Sequence, residues 1–362
     1  MKKSFIPLLS LLGAAAIFAP QSQAAMVYYV PFDDGSSATL ANNGTLGGTA
    51  TLINRSTFPT LPVASTTVAP NIGSAYSENF PLSSSNQVGP AVELPGSSTP
   101  LRMTGATDQM TISTWIQRTD VNGGAEAWRR FGIVSTLPGP LNTGWSFTLS
   151  PTGQLHFDFG NVNGNAQGSV GTIPIDTNWY HIAVTVDNAA SRKAEYYING
   201  VLQTVTGTAW TAALATTNTK NIVLGTGTSS LDETVGGFGS PVNSMLDDVA
   251  IWDTVLTLGK IRSIDTTPTL LSGYNTGDMN QLFTLFDSAN PVTSLALNGK
   301  TWYYTSGLTG HADGDAWNSG GFDYIQLASG TGVFSAVPEP ATWVLLAGTL
   351  TTVIILRRRR QA

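Results

Sequence analysis

Alternating apolar and polar residues dominate the middle of the chain. In the stretch 178–205, one set of side chains alternates with another: Tyr180, Ile182, Val184 and Val186 against Trp179, His181, Ala183 and Thr185. A period of two, rich in β-branched and aromatic residues, predicts a strand. A second strand is predicted at Lys193–Ile198, and the Asn199-Gly200 pair after it favours a tight turn with positive φ. The pattern therefore predicts an antiparallel meander.

The same alternation recurs on both sides of this meander. Further strands are predicted at 28–35, 91–94, 101–103, 109–117, 129–135, 144–150, 154–159, 201–205, 221–225 and 245–256. The Gly- and Asn-rich stretch 161–171 is predicted to be a rim loop, and a short helix is predicted at 257–264. Beyond it, helix-like spacing at 270–286 precedes three predicted strands at 295–297, 301–304 and 322–327. The pattern predicts antiparallel β-structure up to residue 266 and a small α+β appendage or stalk over 267–336.

Five of these segments resemble LamG-like jelly-roll domains, which are concanavalin A-like sandwiches of the laminin-G and pentraxin type. They are YYVPFDDG at 28–35, MTISTWIQ at 110–117, W-x-H-I-A-V-T-x-D with Y-x-I-N-G-V at 179–201, NIVLG at 221–225 and MLDDVAIWDTVL at 245–256. They lie in the order that the family has. The resemblance implies an all-β, antiparallel two-sheet jelly-roll sandwich over 26–266, whose first and last strands are neighbours.

The first 25 residues have the features of a secretory signal peptide. Two lysines precede an apolar run at 5–19, and small residues follow it, with cleavage expected after Ala24 or Ala25. The alternative is a permanent membrane anchor, for which the apolar run is short.

The last 26 residues combine three features. Val337, Pro338, Glu339 and Pro340 precede an apolar run at 341–356, predicted to be one transmembrane helix, and then Arg357, Arg358, Arg359 and Arg360. The basic end is expected to stay in the cytoplasm. The arrangement resembles the PEP-CTERM sorting signal. The resemblance implies export through the inner membrane of a Gram-negative bacterium, processing by an exosortase, and release or attachment at the surface. The alternative is a plain C-terminal anchor.

Composition narrows the possible partners of the exported part. Only 11% of the 362 residues are charged and none is cysteine, so disulfides and thiolate metal sites are excluded. Without the six basic residues of the two ends and Glu339, 11 Lys and Arg remain against 22 Asp and Glu, a net charge of −11. Nucleic acids and anionic membrane surfaces bind through basic patches, so both are unexpected partners. The membrane is expected as a partner only through the C-terminal helix before processing.

The sequence gives little support to catalysis. Concanavalin A-like glucanases of the retaining type carry an E-x-D-x-x-E strand that supplies two carboxylates, and the six glutamates of this chain include no such pattern. The three histidines, His156, His181 and His311, lie far apart and form no zinc motif. We interpret His181 as a packed strand residue. No catalytic residue is predicted.

Calcium is the metal that the sequence favours. Two acidic pairs, Asp33 with Asp34 and Asp247 with Asp248, would come together if the first and last strands were neighbours, and Asp34 and Asp247 are the strongest candidates among them. Calcium takes several oxygen ligands, often from loops between strands, and the family resemblance implies a calcium site at the domain edge. The alternative is that these acids are only solvated strand ends.

Three tryptophans near predicted loops or strand edges are candidates for stacking on sugars: Trp128, Trp145 and Trp210. Packing is the alternative role for each of them. Together these features predict a non-catalytic surface or extracellular matrix protein for adhesion or for binding polysaccharide or a surface protein. The competing hypotheses are a glycan-degrading enzyme on the same fold and a purely structural matrix component.

Overall fold

The structure of the protein is a computed structural model. It describes residues 26–35, 38–53, 61–70, 73–81, 90–94, 101, 103, 105, 107–119, 131–136, 144–159, 167–189, 191–207, 221–226, 240–241, 244–270, 279, 282, 295–297, 300–305, 311–312, 314–328 and 332–338. The predicted signal peptide, the predicted transmembrane helix and the four arginines lie outside these residues. Within the described ranges, no helix is both long enough and apolar enough to cross a membrane.

The secondary structure is mainly β. In the first half of the chain the strands are β1 (Met26–Val30), β2 (Thr39–Ala41), β3 (Thr49–Ile53), β4 (Val63–Ser65), β5 (Ser77–Phe80), β6 (Ala91–Glu93), β7 (Gln109–Arg118), β8 (Phe131–Ser135), β9 (Trp145–Leu149), β10 (Gln154–Phe159) and β11 (Gln167–Thr172). Next come β12 (Tyr180–Asp187), β13 (Lys193–Ile198), β14 (Val201–Leu202), β15 (Val205–Thr206), β16 (Val223–Leu224), β17 (Ser240–Pro241), β18 (Ser244–Trp252) and helix α1 (Leu258–Leu270). The last strands are β19 (Leu295–Leu297), β20 (Lys300–Thr305), β21 (Ala316–Ser319), β22 (Phe322–Ala328) and β23 (Gly332–Pro338).

Two sheets form the predicted sandwich. The first sheet has the order β14-β13-β12-β7-β18-β5-β4, and β1 also pairs with β18. The second sheet has the order β15-β11-β10-β9-β8-β16-β6-β3-β2, with β17 beside β8. All of these pairings are antiparallel except that of β17 with β8. The predicted antiparallel two-sheet sandwich is confirmed, and so is the pairing of the first strand with the last.

The period of two in the sequence decides which side chains enter the core. Ile182, Val184 and Val186 of β12 belong to the main cluster between the sheets, whereas Ala183 belongs to a second cluster on the outer face. The turn after β13 has positive φ at both Asn199 (48°) and Gly200 (66°), which only a few residue types adopt at low cost. The alternation and the Asn-Gly turn are therefore confirmed.

The described part of the C-terminal region packs on the sandwich. Its strands form a third sheet of order β19-β20-β23-β22-β21. Trp302 and Ile325 of this sheet, with Ile261 of α1, share one buried cluster with Trp252 of β18 and Tyr29 of β1. The outer face of the first sheet carries these large apolar rings, and covering them removes apolar surface from water. The described residues of the predicted appendage or stalk therefore share a buried cluster with the sandwich.

Several predicted boundaries differ from the structure. Leu101 and Met103, from the predicted strand at 101–103, do not lie in a strand, and Met103 has a φ of 54°, outside the β region. Residues 167–171, the end of the predicted rim loop, lie in β11, which pairs with β10. Strand β23 continues to Pro338, two residues into the predicted sorting motif, where Pro338 lies opposite Lys300. Proline is tolerated there because it ends the strand.

Candidate functional site

Asp247 and Asp248, the adjacent acids of β18, lie where the pairing of β18 with its neighbouring strands is interrupted on both sides. On one side, β5 pairs with Ser244 to Leu246 and β1 pairs with residues 249–252, so the two acids lie at the junction of these strands. On the other side, the register with β7 shifts between Asp247 and Ala250. Asp248 has a φ of 49°. This combination is a β-bulge, a feature that redirects side chains near functional sites.

The bulge places both carboxylates on the outer face of the sheet. Leu246 and Val249, which flank the pair, point into the main core, whereas Ala250 belongs to the outer cluster. In a regular strand, two consecutive residues would point to opposite faces. Because of the extra residue, Asp247 and Asp248 share one face.

Each carboxylate has one oxygen with a partner and one without. Asp247 Oδ2 accepts a hydrogen bond from the Ala69 amide at 3.2 Å, and Asp248 Oδ1 accepts one from the Tyr29 hydroxyl at 2.5 Å. Asp247 Oδ1 and Asp248 Oδ2 have no hydrogen-bond partner among the described residues. The two residues are 0% and 1% exposed. Two unsatisfied carboxylate oxygens in this setting are energetically costly without a cation.

The turn after β1 and the loop before β5 meet at this pair. Asp33 Oδ1 accepts a hydrogen bond from the Ala75 amide at 2.6 Å, and Asp33 lies near enough to repel both Asp247 and Asp248. Asp34 is directed elsewhere, since its Oδ2 accepts a hydrogen bond from the Ala41 amide at 2.5 Å. The structure thus brings Asp33, and not Asp34, to the carboxylate pair.

Burial controls the protonation of the pair. Burial raises the pKa of Asp247, and repulsion by Asp248 raises it further. Burial also raises the pKa of Asp248, although the hydrogen bond from Tyr29 opposes that rise. The pKa of Tyr29 is raised well above its usual range by burial and then by the charge of Asp248. A divalent cation would favour the ionised carboxylates by supplying the missing opposite charge.

These acids fit part of a calcium site. Within the described part of the chain, no three His, Cys, Asp or Glu side chains are arranged to hold a metal ion by themselves. Calcium takes six to eight oxygens, and main-chain carbonyls and water commonly supply several of them. The unpartnered oxygens of Asp247 and Asp248 would therefore be two ligands, with Asp33 beside them. A bound calcium would link the carboxylates of β18 to Asp33 in the turn after β1.

The second sheet carries a polar outer face that was not predicted from the sequence. Its β9 and β10 point their aromatic and leucine side chains into the core, so the alternate positions face outward. These positions hold Ser146, Thr148, His156 and Asp158, all at most 8% exposed. Thr148 Oγ1 donates a hydrogen bond to Asp158 Oδ2 at 2.9 Å, and Ser146 Oγ has no partner among the described residues. The period of two in 144–159 contained the signal for this face.

Two carboxylates on this face lie far apart. Glu93 of β6 and Asp158 of β10 occupy one register row, which passes through Val223, Ser135 and Ser146. Four strand spacings of about 4.8 Å separate them by roughly 19 Å along the sheet. Glycoside hydrolases place their two carboxyl groups about 5–9.5 Å apart. This pair is therefore too widely spaced for glycoside hydrolysis.

The remaining described glutamates are in structural settings. Glu195 accepts a hydrogen bond from Lys193, its ion-pair partner. Glu78 lies opposite Leu246 and therefore points into the main core, where both of its carboxylate oxygens lack partners among the described residues. Glu126 and Glu233 lie outside the described residues.

His181 is a packed strand residue in the structure. It is 0% exposed, and its Nε2 lies 2.7 Å from Ser113 Oγ. The Trp115 ring lies beside it, with ring centroids 5.3 Å apart. Burial lowers the pKa of His181 to about 3, so the imidazole is neutral at physiological pH.

Of the three candidate sugar-stacking tryptophans, only Trp145 lies within the described residues. It is fully buried in the main core, stacks on Phe157 with ring centroids 5.6 Å apart, and donates its indole hydrogen to the Leu101 carbonyl at 2.6 Å. Its ring faces are therefore occupied by protein. Trp128 and Trp210 lie outside the described residues.

Comparison with known families agrees with this architecture. A model of the Laminin_G_3 family, described as the concanavalin A-like lectin/glucanases superfamily, matches residues 87–262. These residues form a concanavalin A-like lectin/glucanase-type domain. The matched region of this lectin/glucanase-type domain includes β18 and the carboxylate pair, whereas β1 to β5 and Asp33 precede it. The superfamily name covers lectins and glucanases, so it does not distinguish binding from hydrolysis.

Several solved structures are similar to the chain at low identity. Domain 4 of AbnA, a GH43 extracellular arabinanase from Geobacillus stearothermophilus solved with arabinotriose, is 17% identical with a TM-score of 0.45, covering 67% of this chain and all of that one. Trypanosoma rangeli sialidase is 13% identical with a TM-score of 0.42, covering 68% of this chain and 33% of that one. A structure of botulinum neurotoxin type C, whose cell entry depends on interaction with two ganglioside molecules, is 13% identical with a TM-score of 0.43, covering 83% of this chain and 65% of that one. No curated protein matches the chain.

Proposed function

We propose that this protein is an exported, non-catalytic carbohydrate-binding component of the cell surface or extracellular matrix. The observation that carries the proposal is the spacing of Glu93 and Asp158 on the polar face of a lectin/glucanase-type sandwich. That face carries hydroxyl, imidazole and carboxylate groups, the kinds of group that bond to sugar hydroxyls, and the residues of β9 and β10 that carry them are each at most 8% exposed. Its described carboxylates are too far apart to flank one glycosidic bond.

Binding without cleavage is the first expected result. The purified protein, incubated with neutral and acidic polysaccharides, should retain at least one of them and release no reducing sugar. Asp158→Asn should weaken binding about tenfold, as expected for the loss of one hydrogen bond to a charged group. Glu93→Gln, four strands away, is the matched control and should bind normally. Affinity electrophoresis and a reducing-sugar assay provide the measurements, and unfolding midpoints check that the variants fold.

Each alternative predicts a different outcome. Release of oligosaccharides would show that the protein is a glycan-degrading enzyme. Failure to retain any polysaccharide, with the protein folded, would favour a purely structural component. Loss of binding in both variants, without loss of folding, would show that the polar face does not set the affinity through Asp158.

The proposed export pathway uses the two ends of the chain. The signal peptide would be removed after Ala24 or Ala25, and an exosortase would process the chain near Pro338 to Pro340. The apolar run at 341–356 and the basic end would hold the chain in the inner membrane until then. Support comes from the order of motif, apolar run and arginines.

Processing can be measured by intact mass. In a Gram-negative host that supplies the exosortase, the extracellular protein should end near Pro340, and without the enzyme it should keep its C-terminal residues. Replacing Pro338, Glu339 and Pro340 by alanine should also prevent processing, whereas replacing the exposed Ser319 and Asn318 should not. A mass that includes Arg360 under all conditions would show that the segment is a plain anchor.

A further inference from the structure

The C-terminal sheet has one covered face and one face that carries exposed aromatic rings. Trp302 and Ile325 lie on the covered face, in the cluster shared with the sandwich. Tyr303, one residue after Trp302, is on the opposite face and is 45% exposed. Because side chains alternate along strands, the residues opposite Tyr303 in the neighbouring strands share its face.

One register row crosses this outer face. Tyr303 of β20 lies opposite Ser335 of β23, Ser335 lies opposite Tyr324 of β22, and Tyr324 lies opposite Trp317 of β21. Ser335, Tyr324 and Trp317 are all partly exposed. The row therefore has the order tyrosine, serine, tyrosine, tryptophan across four adjacent strands.

The rings at one end of the row stand face to face. Trp317 and Tyr324 have ring centroids 5.2 Å apart and planes 13° apart, and His311 stacks on the other side of Trp317 at 3.7 Å and 6°. The spacing of Trp317 and Tyr324 is close to that of neighbouring strands, about 4.8 Å. The rings therefore stand upright on the sheet, and the face of Tyr324 that is turned away from Trp317 points towards β23.

The register row leaves a gap of two strand spacings between the tyrosines Tyr324 and Tyr303, with Ser335 at its midpoint. The two tyrosines are two strands apart, about 9.6 Å from strand spacing alone, and the small side chain of Ser335 lies between them. Carbon atoms pack at about 3.5–4.0 Å, so one ring between two aromatic faces needs about 7–8 Å plus its own thickness. The gap therefore matches one puckered sugar ring, and the serine hydroxyl at its floor can bond a sugar hydroxyl.

The charges of the molecule favour a neutral occupant. The chain between the two end signals has a net charge of −11, so an acidic polysaccharide would be repelled. In the C-terminal sheet the charged side chains Lys300 and Asp323 pair with each other, and the row itself consists of uncharged residues. A pyranose has apolar C–H faces for the tyrosines and hydroxyl edges for Ser335.

We propose that the C-terminal sheet carries a second binding site, in which Tyr303, Tyr324 and Ser335 hold one pyranose ring of a neutral polysaccharide. This site is separate from the polar face of the sandwich and lies outside the matched lectin/glucanase-type domain. It gives the C-terminal region a binding role in addition to that of covering the sandwich.

Two kinds of substitution test the site on the purified protein. Tyr303→Ala removes one wall, and Ser335→Leu fills the gap while it keeps both rings. Each should weaken retention by xylan, laminarin or cellulose, whichever the unaltered protein binds, by about tenfold. Val201→Ala, which alters a residue 61% exposed on the sandwich, and Ser319→Leu, at the end of β21, are the controls and should bind normally.

The outcomes separate this site from the proposed function. If the protein binds a neutral polysaccharide and both Tyr303→Ala and Ser335→Leu bind as well as the unaltered protein, the second site is overturned and the proposed function stands. If only an acidic polysaccharide such as alginate binds, or none of the panel does, the second site is also overturned. Loss of self-association in Tyr303→Ala, measured by light scattering, with unchanged polysaccharide retention would assign the row to contacts between copies of the chain.

Discussion

Calcium is expected to raise the midpoint of thermal unfolding of this protein. Asp247 and Asp248 share the outer face of the first sheet through a β-bulge, and each has one oxygen without a partner among the described residues. A cation that binds the folded state selectively stabilises it by about 2.7 kcal/mol at 100 times its dissociation constant and about 4.1 kcal/mol at 1,000 times. The expected rise is roughly 5–15 °C. Calorimetry in millimolar calcium and in EDTA measures it.

Substitutions identify the ligands. Asp247→Asn and Asp248→Asn should each abolish most of the calcium-dependent rise, because each removes a carboxylate from the pair. Asp34→Asn is the matched control and should keep the rise, since Asp34 bonds to the Ala41 amide away from the pair. Identical unfolding curves with calcium and EDTA would contradict the calcium site. A rise that persists in both Asp247→Asn and Asp248→Asn would place the ion elsewhere.

Replacing Glu78 by Gln is expected to stabilise the protein by about 3 kcal/mol at pH 7. Glu78 is 0% exposed in the main core, and neither carboxylate oxygen has a partner among the described residues. Burial raises its pKa from 4.5 to about 8. One unit of pKa corresponds to about 1.36 kcal/mol. In the folded state Glu78 stays protonated at pH 7, above the ordinary pKa of 4.5, and this lowers the free energy of unfolding by about 3 kcal/mol. Glutamine has nearly the same shape and does not titrate.

The pH dependence gives the sharper test of Glu78. A raised pKa means that the folded state binds more protons than the unfolded state, so stability is fully present below pH 4.5 and is lost as the pH rises to about 8. The advantage of Glu78→Gln over the unaltered protein should therefore be small at pH 4.5 and level off near 5 kcal/mol above pH 8. Urea unfolding at several pH values in EDTA measures it.

A second glutamate provides the control for the effect of Glu78→Gln on stability. Glu195→Gln alters a partly exposed glutamate paired with Lys193 and should change stability by less than about 1 kcal/mol at every pH. Asp247 and Asp248 also titrate, but they do so in both proteins. Their contributions therefore cancel in the difference in unfolding free energy between Glu78→Gln and the unaltered protein. If the free energies of unfolding of Glu78→Gln and the unaltered protein differed equally at pH 4.5 and pH 8.5, the raised pKa of Glu78 would be contradicted.

The sequence alone determined the strands of the central meander because their signals are local. Alternation in 180–186 places side chains on the two faces of one strand, whatever the rest of the chain does. The Asn199-Gly200 turn depends only on φ preferences, and both residues have positive φ. The resemblance to LamG-like domains added the order of the strands, which made the approach of residues near 33 and 247 predictable.

Only the tertiary structure decided how these elements act together. The bulge at Asp247 and Asp248 depends on where β5 ends and β1 begins beside β18, strands far apart in sequence. The choice of Asp33 over Asp34, the burial of Trp145 and the isolation of Glu78 depend on what packs around each side chain. The row of Tyr303, Ser335, Tyr324 and Trp317 exists only because three strand pairings align residues of four strands. Periodicity assigns a residue to a face, but long-range register decides its neighbours, because one step of register moves every side chain.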